Sequence, residues 1–182
     1  MYTKPTLDLN VLDVNKNFAA RDYWKDRLSD FYFKNYFYSS HVSELRMQES
    51  SYATCVVKAP EELKKSLSDI ALTYKARHIV LLSALGIMIQ KYAGVEDVCI
   101  FTPLYSSELN QDEKKHILPI RMMVSGDRSF KNFLNIVKTD LIRDIGYGKY
   151  AVERVFNQEG TGFKKACTIG MSVKEIQGSI LP

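Results

Sequence analysis

The sequence predicts an α/β layered domain, and three observations lead to that class. Residues 78–92 form an apolar segment of helical length, and the β-prone run 98–101 follows it directly. A second apolar run, residues 117–124, comes after a polar stretch. Helical spacing of apolar residues recurs before and after this unit. We therefore predict a central helix that leads into a buried strand, with a second strand beside it and the remaining elements packed around both.

The bulk composition limits the classes of function. A chain of 182 residues is long enough to bury one substantial core. Its 25 basic and 21 acidic residues are interspersed, and the net charge of +4 is too weak and unpatterned to predict a nucleic-acid or acidic-membrane partner. The first residues form no apolar signal core, so we expect a cytoplasmic protein without a membrane segment. An odd number of cysteines without CxxC spacing argues against disulfides and zinc, and we expect three buried thiols at Cys55, Cys99 and Cys167.

The first third of the chain is predicted to alternate extended and helical pieces. Residues 1–20 are expected to be an extended lead-in, and residues 18–31 an amphipathic helix. The aromatic segment 31–38 is expected to lie on the domain surface, where packing against the domain is favoured over a partner-binding patch. Residues 52–58 are predicted to form a strand. A surface helix then begins near Pro60, with one apolar face made of Leu63, Leu67, Ile70 and Tyr74.

The remaining elements follow from capping and spacing. The central helix is apolar all round, which predicts burial on every side, and Gly94 is expected to close it in a left-handed conformation. Ser129 is expected to cap a helix over residues 130–145, which Gly146 and Gly148 interrupt. Residues 151–156 are predicted to form a short helix and residues 166–173 a last strand. The buried stripe of the 130–145 helix is predicted to be Phe130, Phe133, Leu134, Val137, Leu141 and Ile145.

The search for chemistry starts with three histidines. His41 is expected in a solvated loop, and His78 as a neutral buried residue at the start of the central helix. His116 stands at the entry to the second strand. None has a second ligand at metal-binding spacing, and the chain contains no phosphate-binding glycine loop and no nucleophile motif. The residues by themselves therefore predict a fold with no metal, no cofactor and no active site.

Four linked blocks resemble a known family. They are YWKDRL at residues 23–28, QKYAGVEDVCIFTP at 90–103, LPIRMMVSGDRSF at 118–130, and the helix that follows. Together they resemble the condensation domain of nonribosomal peptide synthetases. The resemblance implies a chloramphenicol acetyltransferase-like fold, in which two similar lobes face each other across a tunnel. The blocks belong to the second, C-terminal lobe, which implies a single lobe: a two-layer sandwich with a mixed sheet covered by helices, over residues 21–176, with 177–182 as a tail or the start of a linker.

The resemblance is incomplete where the family performs its chemistry. The family's catalytic signature, HHxxxDG, belongs to the first lobe and does not occur in these 182 residues. The family's Asn-Thr before LPLR is replaced by His116-Ile117, and its GTP by Phe101-Thr102-Pro103. Of the family's HQDxPFE, only Glu153 remains. Without the second histidine of the signature, nothing orients or deprotonates the attacking amine.

These losses imply a truncated, non-catalytic domain that acts as a structural or interaction platform for an adjacent adenylation domain or a carrier protein. The alternative is half of an acyltransferase that becomes active with a partner lobe carrying HHxxxDG, in which His116 is the candidate catalytic residue. A third possibility is a fragment of a larger active domain. A sheet edge left bare by the missing lobe would favour a homodimer or a domain contact.

Overall fold

The structure, a computed structural model, describes residues 9–31, 54–104, 116–150, 152–158 and 169–173. In these ranges the elements follow in the order α1 (Leu9–Leu28), α2 (Glu61–Ile70), α3 (Tyr74–Ala93), β1 (Asp97–Pro103), β2 (Ile117–Met123), α4 (Phe130–Gly146) and α5 (Glu153–Gln158). Among them, no single helix has the length and apolar composition to cross a membrane, although α2 and α3, bent by 112°, pass that test as a pair.

The described sheet has two antiparallel strands, so the mixed sheet that the resemblance implied stays a prediction. Strands β1 and β2 pair antiparallel, with Ile100 opposite Ile120. On its other edge, β1 makes a parallel bridge between Phe101 and Gly170. The N–H of Phe101 donates to Ile169 O at 2.9 Å, and the N–H of Met171 donates to Phe101 O at 2.8 Å. The predicted strand 166–173 is thus present in the described residues as this bridge only.

Helices cover both faces of β1, whose residues Val98 to Thr102 are all buried. Side chains of a strand alternate between the two faces. Thr102 lies on the face toward α3, where its hydroxyl is 3.3 Å from His78 Nε2. Phe101 lies on the opposite face, with its ring centroid 6.3 Å from that of Phe156 in α5. The mixed α/β class is therefore confirmed, whereas the two-layer arrangement stays a prediction.

Helix α3 ends at Gly94 as predicted, but it begins four residues earlier than His78 and is not buried on all sides. Thr73 accepts a hydrogen bond from Ala76 N at 3.1 Å, and Gly94 ends the helix at φ 66°. The sheet buries one face only, so the prediction of burial on every side was wrong. Leu81, Met88 and Tyr92 remain 40%, 50% and 80% exposed. The error arose because a sequence apolar all round does not determine how many neighbours the fold provides.

Helix α1 begins earlier than predicted. The expected extended lead-in was wrong for residues 9–17, since α1 starts at Leu9, whereas residues 18–28 are helical as predicted. The stretch from Leu9 to Leu28 contains neither glycine nor proline, and Pro5 lies before it, so nothing in the sequence stops the helix from extending toward the N-terminus. Ala20, Trp24 and Leu28 form its buried side at the C-terminal end.

The predicted strand at residues 52–58 is absent from the part of the chain that the structure describes there. Residues 54–60 form no strand, and Val56 and Val57 are each 84% exposed. Cys55 is exposed, so its predicted burial was wrong, whereas Cys99 is buried as expected and Cys167 lies outside the described residues. A β-prone composition forms a strand only where a neighbouring strand supplies hydrogen bonds.

Helix α2 starts directly after Pro60 as predicted, but its apolar face is not used. It buries no residue, and Leu63 and Ile70 are 58% and 69% exposed. Tyr74 was predicted to extend that face, yet it belongs to α3, which is sharply bent against α2. The described residues place no partner over this face.

Helix α4 follows its prediction closely. The Ser129 hydroxyl accepts a hydrogen bond from Asn132 N at 3.3 Å. Phe133, Val137 and Leu141 are buried, whereas Phe130, predicted in the same stripe, is 46% exposed because it occupies the first turn at the edge of the contact. The short helix α5 begins two residues later than expected.

Candidate functional site

His116, the candidate catalytic residue, lies half-buried just before β2. Its Nδ1 is 3.1 Å from the carbonyl oxygen of Gly148. Because a carbonyl oxygen only accepts, Nδ1 carries a proton in this contact. Among the described residues, no hydrogen bond or ion pair joins His116 to a carboxylate, hydroxyl or thiol. The contact with Gly148 therefore places a proton on Nδ1 of His116. The described residues supply no acid or nucleophile beside the ring.

His78 is buried and neutral, as the sequence predicted, and it contacts the side chain of Thr102. Its ring is completely inaccessible to solvent and lies 3.3 Å from the Thr102 hydroxyl. Burial lowers the pKa of His78 to about 4, because the cationic form loses its hydration. The residue is therefore uncharged at neutral pH and sealed from any substrate. His41 lies outside the described residues.

A buried polar cluster joins α1 to α4, and sequence reasoning did not find it. The Tyr23 hydroxyl donates to Asp144, and Arg27 donates to the same carboxylate at 3.1 and 3.3 Å. Asp144 is fully buried, and Arg27 also lies 3.5 Å from Asp140. One signal was available: Asp144 follows Val137 and Leu141 on the buried stripe of α4, where an acidic residue needs a partner.

Burial shifts the pKa values in this cluster of Tyr23, Arg27 and Asp144, whose side chains hold α1 against α4. Burial raises the pKa of Asp144, and this effect exceeds the opposing influence of Arg27. Burial and the hydrogen bond to Asp144 also raise the pKa of Tyr23, so the phenol keeps its proton. The Tyr23 ring stacks on Tyr147 with centroids 4.1 Å apart, and Trp24 Nε1 donates to Tyr147 O at 3.1 Å. The Tyr-Trp pair of the first block therefore fastens α1 to the end of α4.

Arg121 makes a second junction, between the sheet and the end of α1. It binds Asp97 through two parallel hydrogen bonds of 2.9 and 2.8 Å. Its third nitrogen donates to the carbonyl oxygens of Arg27 and Ser29 at 3.2 and 2.8 Å. The guanidinium also lies 5.2 Å from the centre of the Phe31 ring. Residues from three separate blocks of the family resemblance therefore meet in scaffold contacts.

The described surface carries several depressions. A groove of about 600 Å³ runs between α3 and α4, a smaller one of about 440 Å³ lies beside Arg27, Arg121 and Arg128, and one of about 320 Å³ lies on α4. None of these three is lined by a histidine. In the described ranges, no three His, Cys, Asp or Glu side chains are close enough to hold a metal ion. The described surface thus offers grooves without a group of reactive side chains.

No protein-family model matches the sequence, and no curated protein is significantly similar to it. Solved structures are similar in fold. The first condensation domain of the calcium-dependent antibiotic synthetase, in complex with a substrate analogue, shares 13% identity at a TM-score of 0.61, over 94% of this chain and 39% of that one. The starter condensation domain of rhizomide synthetase, in a product-released conformation, gives 13% identity and 0.61 over 93% and 41%. A four-domain nonribosomal peptide synthetase bound to AMP and glycine gives 19% and 0.55 over 65% and 10%.

The fold is therefore that of part of a condensation domain of nonribosomal peptide synthetases. The chain spans about two fifths of the length of the condensation domains that it matches. At these identities the likeness establishes the fold, and it agrees with the family that the four sequence blocks resemble.

Proposed function

We propose that this chain is a truncated condensation-like domain, corresponding to the second lobe, that forms no amide bond by itself. It serves as a structural and interaction platform for a neighbouring adenylation domain of a peptide synthetase. The observation that carries the proposal is that residues from the family-like blocks make structural contacts within the domain. Tyr23, Asp97 and Arg121 all hold the scaffold together, while no HHxxxDG string occurs in the 182 residues.

The aromatic segment 31–38 is described at its first residue only. Phe31 is 9% exposed and lies against Arg121, which agrees with the favoured prediction of packing against the domain; the rest of that segment lies outside the described residues. The outer edge of β2 is partly closed. The hydrogen bonds at both ends of the β1–β2 pair fix which β2 residues point their backbone N–H and C=O groups toward β1. The groups that point away from β1 therefore belong to residues 117, 119, 121 and 123.

Two of those outward positions resist strand pairing. Pro119 has no N–H to donate, and the carbonyl oxygen of Arg121 already accepts a bond of 2.7 Å from Arg27. Strand addition along β2 is therefore disfavoured, and the proposed domain contact is made by side chains. A homodimer and a cytoplasmic location remain predictions from the sequence.

The catalytic half of the proposal is tested by assaying amide formation with two carrier proteins, each loaded with its amino acid. An intact condensation domain serves as the positive control. We expect no condensation product above the uncatalysed background from the purified chain, because no described base, acid and nucleophile converge. Turnover by the chain alone would rule out this half.

The platform half is tested on an adenylation domain of a peptide synthetase. Thermal unfolding of that domain is compared with and without the chain fused to it. We expect a higher Tm in the joined protein, since burying a shared interface stabilises both partners. Identical melting of the adenylation domain in both forms argues against a platform.

One observation favours a second function, the acyltransferase half completed by a partner lobe. In a neutral His116 ring, the hydrogen bond from Nδ1 to Gly148 O places the lone pair on Nε2, which is the atom that a general base would use. The test mixes the chain with a separately expressed first lobe that carries HHxxxDG and measures acyl transfer. Activity that appears on mixing and is lost in His116→Ala supports this function. Activity that is unchanged by the substitution removes His116 from the reaction.

A further inference from the structure

The groove between α3 and α4 is apolar and open to solvent. Ile79 and Val80 line it from α3, and α4 contributes residues from Leu134 to Ile145. Ile142 is 59% exposed there. At about 1.5 Å per helical residue, the α4 wall is roughly 17 Å long, which matches about three turns of another helix. The described residues leave this length of apolar surface between two helices uncovered, which is the shape that a third helix fills.

The charges around the groove have one sign. Lys75 of α3 and Lys138 of α4 line it, and no carboxylate does. Both lysines are exposed, and neither forms an ion pair with any residue that the structure describes. A ligand whose apolar stripe is flanked by acidic side chains therefore meets complementary charge on both walls.

We propose that the groove between α3 and α4 binds an amphipathic helix of another polypeptide, one that carries Asp or Glu beside its apolar stripe. The apolar stripe packs on Ile79, Leu134 and Ile142, and the flanking carboxylates pair with Lys75 and Lys138. The proposal goes beyond the platform function, because it rests on this groove alone and names the chemistry of the partner. A fatty acyl chain would also suit an apolar groove, but the open shape and the two-sided lysines favour a helix.

The test uses two fluorescein-labelled peptides of about 16 residues, long enough to favour a helix. Both carry leucine at positions i, i+3, i+4 and i+7; one has glutamate on the flanks and the other has lysine. Fluorescence anisotropy with the full chain measures binding. We expect the acidic peptide to bind about tenfold more tightly than the basic one, and the ratio to shrink as salt screens the lysines.

Matched substitutions locate the site. Ile142→Glu is expected to weaken binding of the acidic peptide about tenfold, and Lys138→Glu about fivefold. The exposed residues Met88 and Lys131 lie outside the groove lining, so Met88→Glu and Lys131→Glu should leave the Kd within about twofold. All four positions are exposed, so the variants keep their core.

Three results would overturn the proposal. One is equal affinity for the acidic and basic peptides at low salt. Another is binding that Ile142→Glu leaves unchanged. The third is binding of a fluorescent dodecanoic acid that Ile142→Glu abolishes while neither peptide binds, which would make the groove a lipid site.

Discussion

At the scale of single residues, burial changes the chemistry of His78 and makes stability depend on pH. Its folded pKa of about 4 lies below the value of about 6.5 in an unfolded chain. The unfolded state therefore binds a proton first as the pH falls. The contribution of His78 is fully present above about pH 6.5 and is lost between pH 6.5 and pH 4, by up to about 3 kcal/mol.

The prediction is a steeper pH dependence in the natural chain than in a variant without the imidazole. We expect His78→Gln to show a shallower loss of unfolding free energy over that window, because glutamine does not titrate. Urea unfolding of both proteins from pH 7 to pH 4 measures the difference. The carboxylates titrate in both proteins and cancel in the comparison, so equal slopes would contradict the assignment.

At the scale of secondary-structure elements, Arg121 joins β2 both to β1 and to the end of α1. Its two bonds to Asp97 need a planar guanidinium, and its third nitrogen reaches two carbonyl groups of the α1 terminus. Lysine keeps the charge but offers one nitrogen in place of three. The junction therefore depends on arginine as such.

We expect Arg121→Lys to lower the free energy of unfolding by about 1–3 kcal/mol, since a bidentate pair and hydrogen bonds to two carbonyl groups are lost. The matched control is Arg21→Lys, whose pair with Asp22 is exposed and should change stability by less than about 0.5 kcal/mol. Denaturant unfolding of both variants measures the contrast. An equal loss of unfolding free energy at the two positions would show that the Arg121 junction stabilises the fold no more than an exposed ion pair does.

Also at this scale, the sequence predicted the elements that have their own local signals. Ser129 and Gly94 marked helix ends correctly because capping depends on a few neighbouring residues. The strand expected at residues 52–58 is absent over the described residues 54–58, because a strand needs a pairing partner and local sequence does not identify one. The start of α1 was missed because polar residues were interpreted as a breaker, although no glycine or proline follows Pro5 until the helix has ended.

At the scale of the whole molecule, one core cluster contains residues of α1, α3, α4, α5 and both strands. Trp24, the single tryptophan, is completely buried at the junction of α1 with the end of α4. A shared core favours cooperative unfolding. Trp24 fluorescence should therefore report the same transition as the helices.

We expect the fluorescence of Trp24 and the far-ultraviolet circular dichroism to give coincident denaturation curves. Both report loss of the same core, so their midpoints and slopes should agree. A fluorescence transition that precedes the circular dichroism transition would show that α1 detaches as a separate unit.

The sequence by itself determined the α/β class, the central helix and its strand, both caps and the likeness to condensation domains, because these depend on local pattern and on the order of blocks along the chain. Only the tertiary structure decided which face of α3 is covered and why Asp144 is buried. It also showed that Tyr23, Asp97 and Arg121 meet in scaffold contacts and that α3 and α4 leave a groove between them. These features arise between residues up to 121 positions apart, and local pattern carries no information about such contacts.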